Sequence, residues 1–117
     1  MSSKFTNLDL VKERDFVFIC TGKSEKIDET YFTEIPEIPV ELAKELIKRK
    51  ISIVGVDSCS PDLDPYAAHD LFLENGIRIV ENLAGLKELV NKRFKCLIAP
   101  LKIRNSDGAP CRVIAFV

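Results

Sequence analysis

Ile51-Ser52-Ile53-Val54-Gly55-Val56 is a short apolar, β-branched run that stops at Asp57. Such a run reads as a strand covered on both faces, the kind found in parallel sheets. The residues before it, Val40 to Lys50, repeat with a helical period. Val40, Leu42, Ala43, Leu46 and Ile47 share one face, and Glu41, Lys44, Glu45, Lys48 and Arg49 the other. Glu45 and Arg49 are spaced for a favourable pair one turn apart. Lys48-Arg49-Lys50 suits the negative end of the helix dipole. Upstream, Phe16-Val17-Phe18-Ile19-Cys20 is a second buried-type run, closed by Thr21-Gly22. Strand, helix and strand in that order predict a parallel pair joined by a right-handed crossover.

Downstream the pattern continues. Asp64 is placed to cap a helix, Pro65 suits its first position, and Asn75-Gly76 closes it. Ile77-Arg78-Ile79-Val80 follows as a third short strand, ending at Glu81. Asn82 is placed to cap a brief helix with Leu83, Leu86, Leu89 and Val90 facing inward. Lys95 to Ile103 and Ala109 to Val117 read as two strands, and Asn105-Ser106-Asp107-Gly108 between them has turn chemistry. The fold class is therefore α/β, with parallel strands, helical crossovers and a C-terminal antiparallel hairpin. Residues 1–14 are polar and read as an N-terminal arm, extended or a short helix, and residues 15–117 as the domain. Lys23 to Pro39 reads as a loop long enough to be functional or partner-facing.

Composition narrows the classes. The chain has 117 residues, 17 basic and 18 acidic, four cysteines and one histidine. That near-neutral balance argues against a nucleic-acid partner, because phosphate binding needs a local basic excess. No apolar run approaches the roughly 20 residues of a membrane span. Met1 to Asp15 lacks the apolar centre of a signal peptide, so a reducing cytoplasm is expected and disulfides are not. Cys20 and Cys96 sit inside apolar runs, as buried thiols do, and Cys59 lies in a loop. No paired-cysteine zinc motif is present.

Parallel topology brings the carboxyl ends of the first three strands to one edge, where open α/β sheets bind ligands. Thr21-Gly22, Asp57-Ser58 and Glu81 stand there. Asp57, Ser58 and Ser60 are also ordinary loop residues. Glu81, directly after an apolar strand, is either a metal ligand or the partner of a basic group or helix end. His69 falls at the margin of its helix wheel, between Ala67, Ala68, Leu71 and Phe72 on the buried side and Asp70 and Glu74 on the solvent side. That place suits a ligand or proton shuttle, and equally a structural or surface histidine. Arg112 in the last strand reads as an edge charge. There is neither a G-x-S-x-G elbow nor a phosphate loop around Gly22-Lys23-Ser24.

The ordered set of motifs resembles the metal-dependent cyclase or kynurenine formamidase (arylformamidase) family. Gly55-Val56-Asp57-Ser58-Cys59-Ser60-Pro61-Asp62 is similar to its G-x-D-[ST]-x-S-x-D strand and loop. His69, Leu71-Phe72-Leu73-Glu74-Asn75-Gly76-Ile77 and Val80-Glu81-Asn82-Leu83 resemble its H-x-x-L-L-x-x-G-I-x-I-x-E-N-L. Phe18-Ile19-Cys20-Thr21-Gly22, Ala99-Pro100-Leu101-Lys102-Ile103 and the strand from Asp107-Gly108-Ala109-Pro110 to Ala115 resemble its L-x-R-T-G, P-L-K-x and D-G-x-P-x-R-x-x-A pieces.

The resemblance implies the C-terminal portion of a swivelling β/β/α domain and hydrolysis of an N-formyl or related amide, with kynurenine formation in tryptophan breakdown as the reference activity. It implies a divalent metal, zinc first and manganese second, with Glu81 as a ligand and His69 as a ligand or the proton-moving catalytic group. Asp57, Ser58, Thr21 and Gly22 would shape the substrate pocket. The family's H-x-G-T-H-x-D-x-P segment, which supplies further metal ligands, is not among these residues, and Lys23 stands where the family has an aromatic side chain. On this reading the site needs another chain or segment, the chain associates as a homo-oligomer or with a complementing chain, and the metal can be absent from this chain alone. The other reading is a non-catalytic binding or oligomerisation module on the same scaffold.

Overall fold

The computed structural model describes residues 7–117. Three parallel strands, β1 (Phe16–Ile19), β2 (Ile53–Val56) and β3 (Arg78–Val80), form one sheet in the order β1-β2-β3. Helix α1 (Val40–Lys48) connects the first pair and α2 (Ala67–Glu74) the second. A separate antiparallel ribbon pairs β4 (Lys95–Pro100) with β5 (Cys111–Phe116). The expected α/β class, crossovers and hairpin are all present.

The core lies between the sheet and its two helices. Leu42, Ala43 and Leu46 of α1 pack with Val54 and Val56 of β2, and with Ala68 and Phe72 of α2. Every residue of β2 is buried. β1 is not: its residues are exposed or half-buried, because it is an edge strand. An apolar run of four or five residues cannot distinguish an edge from a centre. Cys20, past the end of β1, is exposed rather than buried.

Two helix starts differ from expectation. Asp64 and Pro65 precede α2 without opening it, since Tyr66 adopts a left-handed conformation (φ 60°) that breaks the helical path before Ala67. Ala67 is exposed, while Ala68 and Phe72 face the core. Asn82 also takes positive φ (59°) and caps nothing; the following helical turn is a 3-10 segment at Leu86–Leu89. Helix α1 ends at Lys48, and the chain reverses through Lys50 at φ 57°. The expected Glu45–Arg49 pair forms at 3.0 Å.

Of the N-terminal arm, residues 1–6 lie outside the described residues. Leu8–Leu10 is a 3-10 turn, and Leu8 and Val11 pack against the core. Arg49 donates to the Leu8 carbonyl (2.6 Å) and Arg93 to that of Leu10 (2.7 Å). No described helix is long and apolar enough to cross a membrane.

Candidate functional site

The parallel register aligns Ile19 with Val56 and Gly55 with Val80, so the three strands end together. Past these ends the chain is knitted by its backbone. Asn82 N–H donates to the Ser58 carbonyl (2.8 Å) and Leu83 N–H to that of Val56 (3.0 Å). These bonds fix where Glu81 emerges relative to the β2 loop.

Asp57 is buried, and both its oxygens turn toward β1. Oδ1 accepts from Thr21 N–H (3.0 Å) and the Thr21 hydroxyl (2.6 Å). Oδ2 accepts from Gly22 N–H (2.9 Å) and again from Thr21 N–H (3.1 Å). A carboxylate so engaged clamps one strand end to the next. Ser58 is fully buried and donates to the Ser60 carbonyl at 2.7 Å. Asp57, Thr21 and Gly22 thus meet as a knot of hydrogen bonds at the strand ends, while Ser58 beside them bonds Ser60 and Asn82 instead.

His69 and Glu81 come together beside that knot. His69 Nε2 lies 3.5 Å from Glu81 Oε1, and both side chains are partly open to solvent. On the far side of the ring, Nδ1 lies 2.6 Å from Asp62 Oδ1. Asp62 is buried, and its Oδ2 accepts the N–H groups of Ala68 (2.8 Å) and His69 (3.2 Å) at the start of α2. Tyr66 packs edge-on against the His69 ring, with centroids 5.7 Å apart. The order Asp62, His69, Glu81 is therefore a line: a buried carboxylate, an imidazole and a more open carboxylate.

Tyr31, from the long loop, reaches over the edge and donates to Asn82 Oδ1 at 2.8 Å. Burial first, then the neighbouring Cys59, Asp57 and Glu81, push its phenol up, so it stays a donor at neutral pH. Cys59 Sγ lies 3.8 Å from the Tyr31 carbonyl.

Sequence reasoning singled out His69 and Glu81 but missed Asp62 as the partner of the His69 ring and Tyr31 as the partner of Asn82. Asp62 was legible as the final acid of the Gly55–Asp62 motif but with no role, and the seven-residue offset to His69 across a loop carries no helical or strand signal. Tyr31 sits in a loop without periodicity, and nothing in the sequence ties it to Asn82.

Two donors about 2.1 Å from one tetrahedral ion stand about 3.4 Å apart. The 3.5 Å between His69 Nε2 and Glu81 Oε1 matches that edge. In a ring whose one proton sits on Nδ1, Nε2 and Glu81 Oε1 both offer electron pairs, and a cation between them is bound by both. The pair fits as part of a coordination sphere. Among the described residues, no group of three or more His, Cys, Asp or Glu is placed to hold a metal ion, and a catalytic zinc takes about three protein ligands.

The family model described as "Putative cyclase" matches residues 5–63, just over half of the chain. The chain belongs to this cyclase family. An uncharacterized protein of Methanocaldococcus jannaschii is 41% identical over 105 residues, covering 88% of this chain and 54% of that protein. Kynurenine formamidase of Bacillus cereus is 31% identical over 98 residues, covering 80% of this chain and 44% of the enzyme. A structure described as a potential metal-dependent hydrolase with cyclase activity superposes with a TM-score of 0.76 at 28% identity, over 90% of this chain and 52% of its own. A predicted metal-dependent hydrolase from Bacillus stearothermophilus gives 0.77 at the same identity, over 90% and 51%. This cyclase-family chain thus spans about half the length of the relatives it matches.

Proposed function

We propose that this chain supplies one part of a metal-dependent amide hydrolase site, with His69 and Glu81 as donors to a shared divalent ion. The observation that carries the reading is the 3.5 Å approach of His69 Nε2 to Glu81 Oε1, with Nδ1 already engaged. Zinc is the first candidate, because an imidazole and a carboxylate suit it, and manganese is the second. When bound, such an ion polarises an amide carbonyl and acidifies water. The substrate class is an N-formyl or related aryl amide, as the name of the Bacillus cereus relative suggests. On this reading Thr21, Gly22, Asp57 and Ser58 shape the substrate pocket at the strand ends.

The remaining ligands come from another segment or chain. Association is supported by the ribbon, where Leu97, Ile114 and Phe116 are exposed. The domain of residues 15–117 is on this reading a partial one. A reducing cytoplasm suits its four free thiols. A non-catalytic module on the same scaffold is the second reading, favoured by the lack of a three-ligand group among the described residues.

Zinc titration by calorimetry, with sizing by light scattering, tests the proposal. Zinc binding that His69→Ala and Glu81→Gln each abolish, with hydrolysis of an N-formyl aryl amide once a complementing chain is added, is the expected outcome. A metal-free monomer, inactive beside every complementing chain and indifferent to His69→Ala, sinks it in favour of the second reading.

A further inference from the structure

We infer that Asp62 is a positioning residue that fixes the tautomer of His69, so that the bare Nε2, not an N–H, faces Glu81. For the neutral ring the tautomer follows from the Nδ1 contact with Asp62, while its use in holding a metal rests on the function proposed above.

Asp62 is only 3% exposed, yet each of its oxygens has a separate task. Oδ2 takes the second and third N–H groups of α2, Ala68 at 2.8 Å and His69 at 3.2 Å. Oδ1 takes the His69 ring at Nδ1, at 2.6 Å. An ionised carboxylate only accepts, so the short contact places a hydrogen on Nδ1. A neutral imidazole carries one N–H, and Nε2 is therefore left with a free electron pair. A helix cap alone does not account for the arrangement. Ser or Asn caps as well as Asp, without the cost of burying a whole charge. The second oxygen has no capping role, and among the described residues its partner is the ring.

The carboxylate is itself held. Ser60 Oγ donates to the Asp62 carbonyl at 2.7 Å and accepts from Asp62 N–H at 3.3 Å. On either side of Asp62, Ile38 N–H bonds the Pro61 carbonyl (2.8 Å) and Leu63 N–H bonds Glu37 Oε1 (2.9 Å). The same carboxylate therefore sets the start of α2 and the orientation of the ring that α2 carries. Donors oriented in this way by an outer carboxylate bind metal more tightly than free ones.

His69 is the only histidine in the chain, so its ring nitrogens are read without assignment. The test is a long-range proton–nitrogen correlation on the full chain labelled with 15N-histidine, at a pH where the ring is neutral. The wild-type ring should show a protonated Nδ1 and a bare Nε2. In Asp62→Asn, one oxygen and one NH2 cannot accept from both the helix and the ring. With the oxygen on the helix N–H groups, the NH2 donates to Nδ1 and the proton moves to Nε2, so the pattern should reverse. Zinc should then shift the wild-type Nε2 signal, with affinity about 10- to 100-fold weaker in Asp62→Asn. A wild-type ring protonated on Nε2 overturns the inference. So does a folded Asp62→Asn chain that keeps the proton on Nδ1. If that variant does not fold, the wild-type spectrum decides alone. A protonated Nδ1 without any response to zinc upholds the positioning role and removes the metal reading.

Discussion

Replacing Asp57 with Asn keeps the size of the side chain and turns one carboxylate oxygen into an NH2. Asp57 holds the end of β1 through Thr21 N–H, the Thr21 hydroxyl and Gly22 N–H. With its oxygen at the Oδ1 position, Asn still accepts from Thr21, but its NH2 then confronts Gly22 N–H, donor against donor. One charge-assisted bond is lost, worth about 1.5–3 kcal/mol, and the remaining ones weaken. We expect a total loss of about 2–4 kcal/mol, a large share of the roughly 5–15 kcal/mol of an ordinary domain. In urea denaturation this lowers the midpoint by about 1–2 M at constant slope. Thr21→Val removes only the hydroxyl and should cost about 1 kcal/mol. Because both changes act on the 2.6 Å contact, the double variant should lose less than the sum of the two. A loss below about 0.5 kcal/mol for Asp57→Asn, typical of a free surface site, refutes the clamp, as does strict additivity.

Three further outcomes are expected. Gly55→Ala puts a methyl 2.6 Å from both Leu83 Cδ1 and Phe18 Cδ1, inside the sheet, and should destabilise by about 1–3 kcal/mol in calorimetry. Phe72→Ala, at a fully buried position, should cost about 3–5 kcal/mol by the same method. Asp15 is bonded by both Nη atoms of Arg93, including Nη2–Oδ1 at 3.0 Å, and that hydrogen bond foremost holds its carboxyl below the ordinary 3.8. A lowered folded-state value means the pair stabilises fully above that ordinary value and is lost as pH falls through the folded one. The stability gap between wild type and Arg93→Gln should thus be flat at neutral pH, close in strong acid, and shrink with added salt.

The parallel layer was legible because its signals are local. Apolar runs, a helical stripe over Val40–Ile47 and the Asn75-Gly76 stop fix strand, helix and strand, and handedness does the rest. The end of β1 and the start of α2 were not legible from the same signals. An edge strand and a central one share a composition, and Asp64-Pro65 satisfies a capping rule that Tyr66 in a left-handed conformation then breaks. His69 and Glu81 stood out because a charged or titratable group beside an apolar run invites explanation. The Asp62–His69 and Tyr31–Asn82 contacts did not, since they run across loops where spacing carries no period. The N-terminal Leu8 and Val11 packed on the core were equally hidden inside a polar stretch.

The ribbon of β4 and β5 shares no ladder with the parallel sheet. A two-stranded ribbon has marginal stability by itself, so its amides exchange through local opening rather than through unfolding of the whole chain. That independence makes the amides of Leu97 and Ile114 a gauge. A chain that settles on the ribbon slows their exchange and leaves Val54 and Val56 unchanged, whereas a ligand at His69 and Glu81 does the reverse, slowing exchange in the parallel layer alone. One exchange map of the same sample separates assembly from site occupancy.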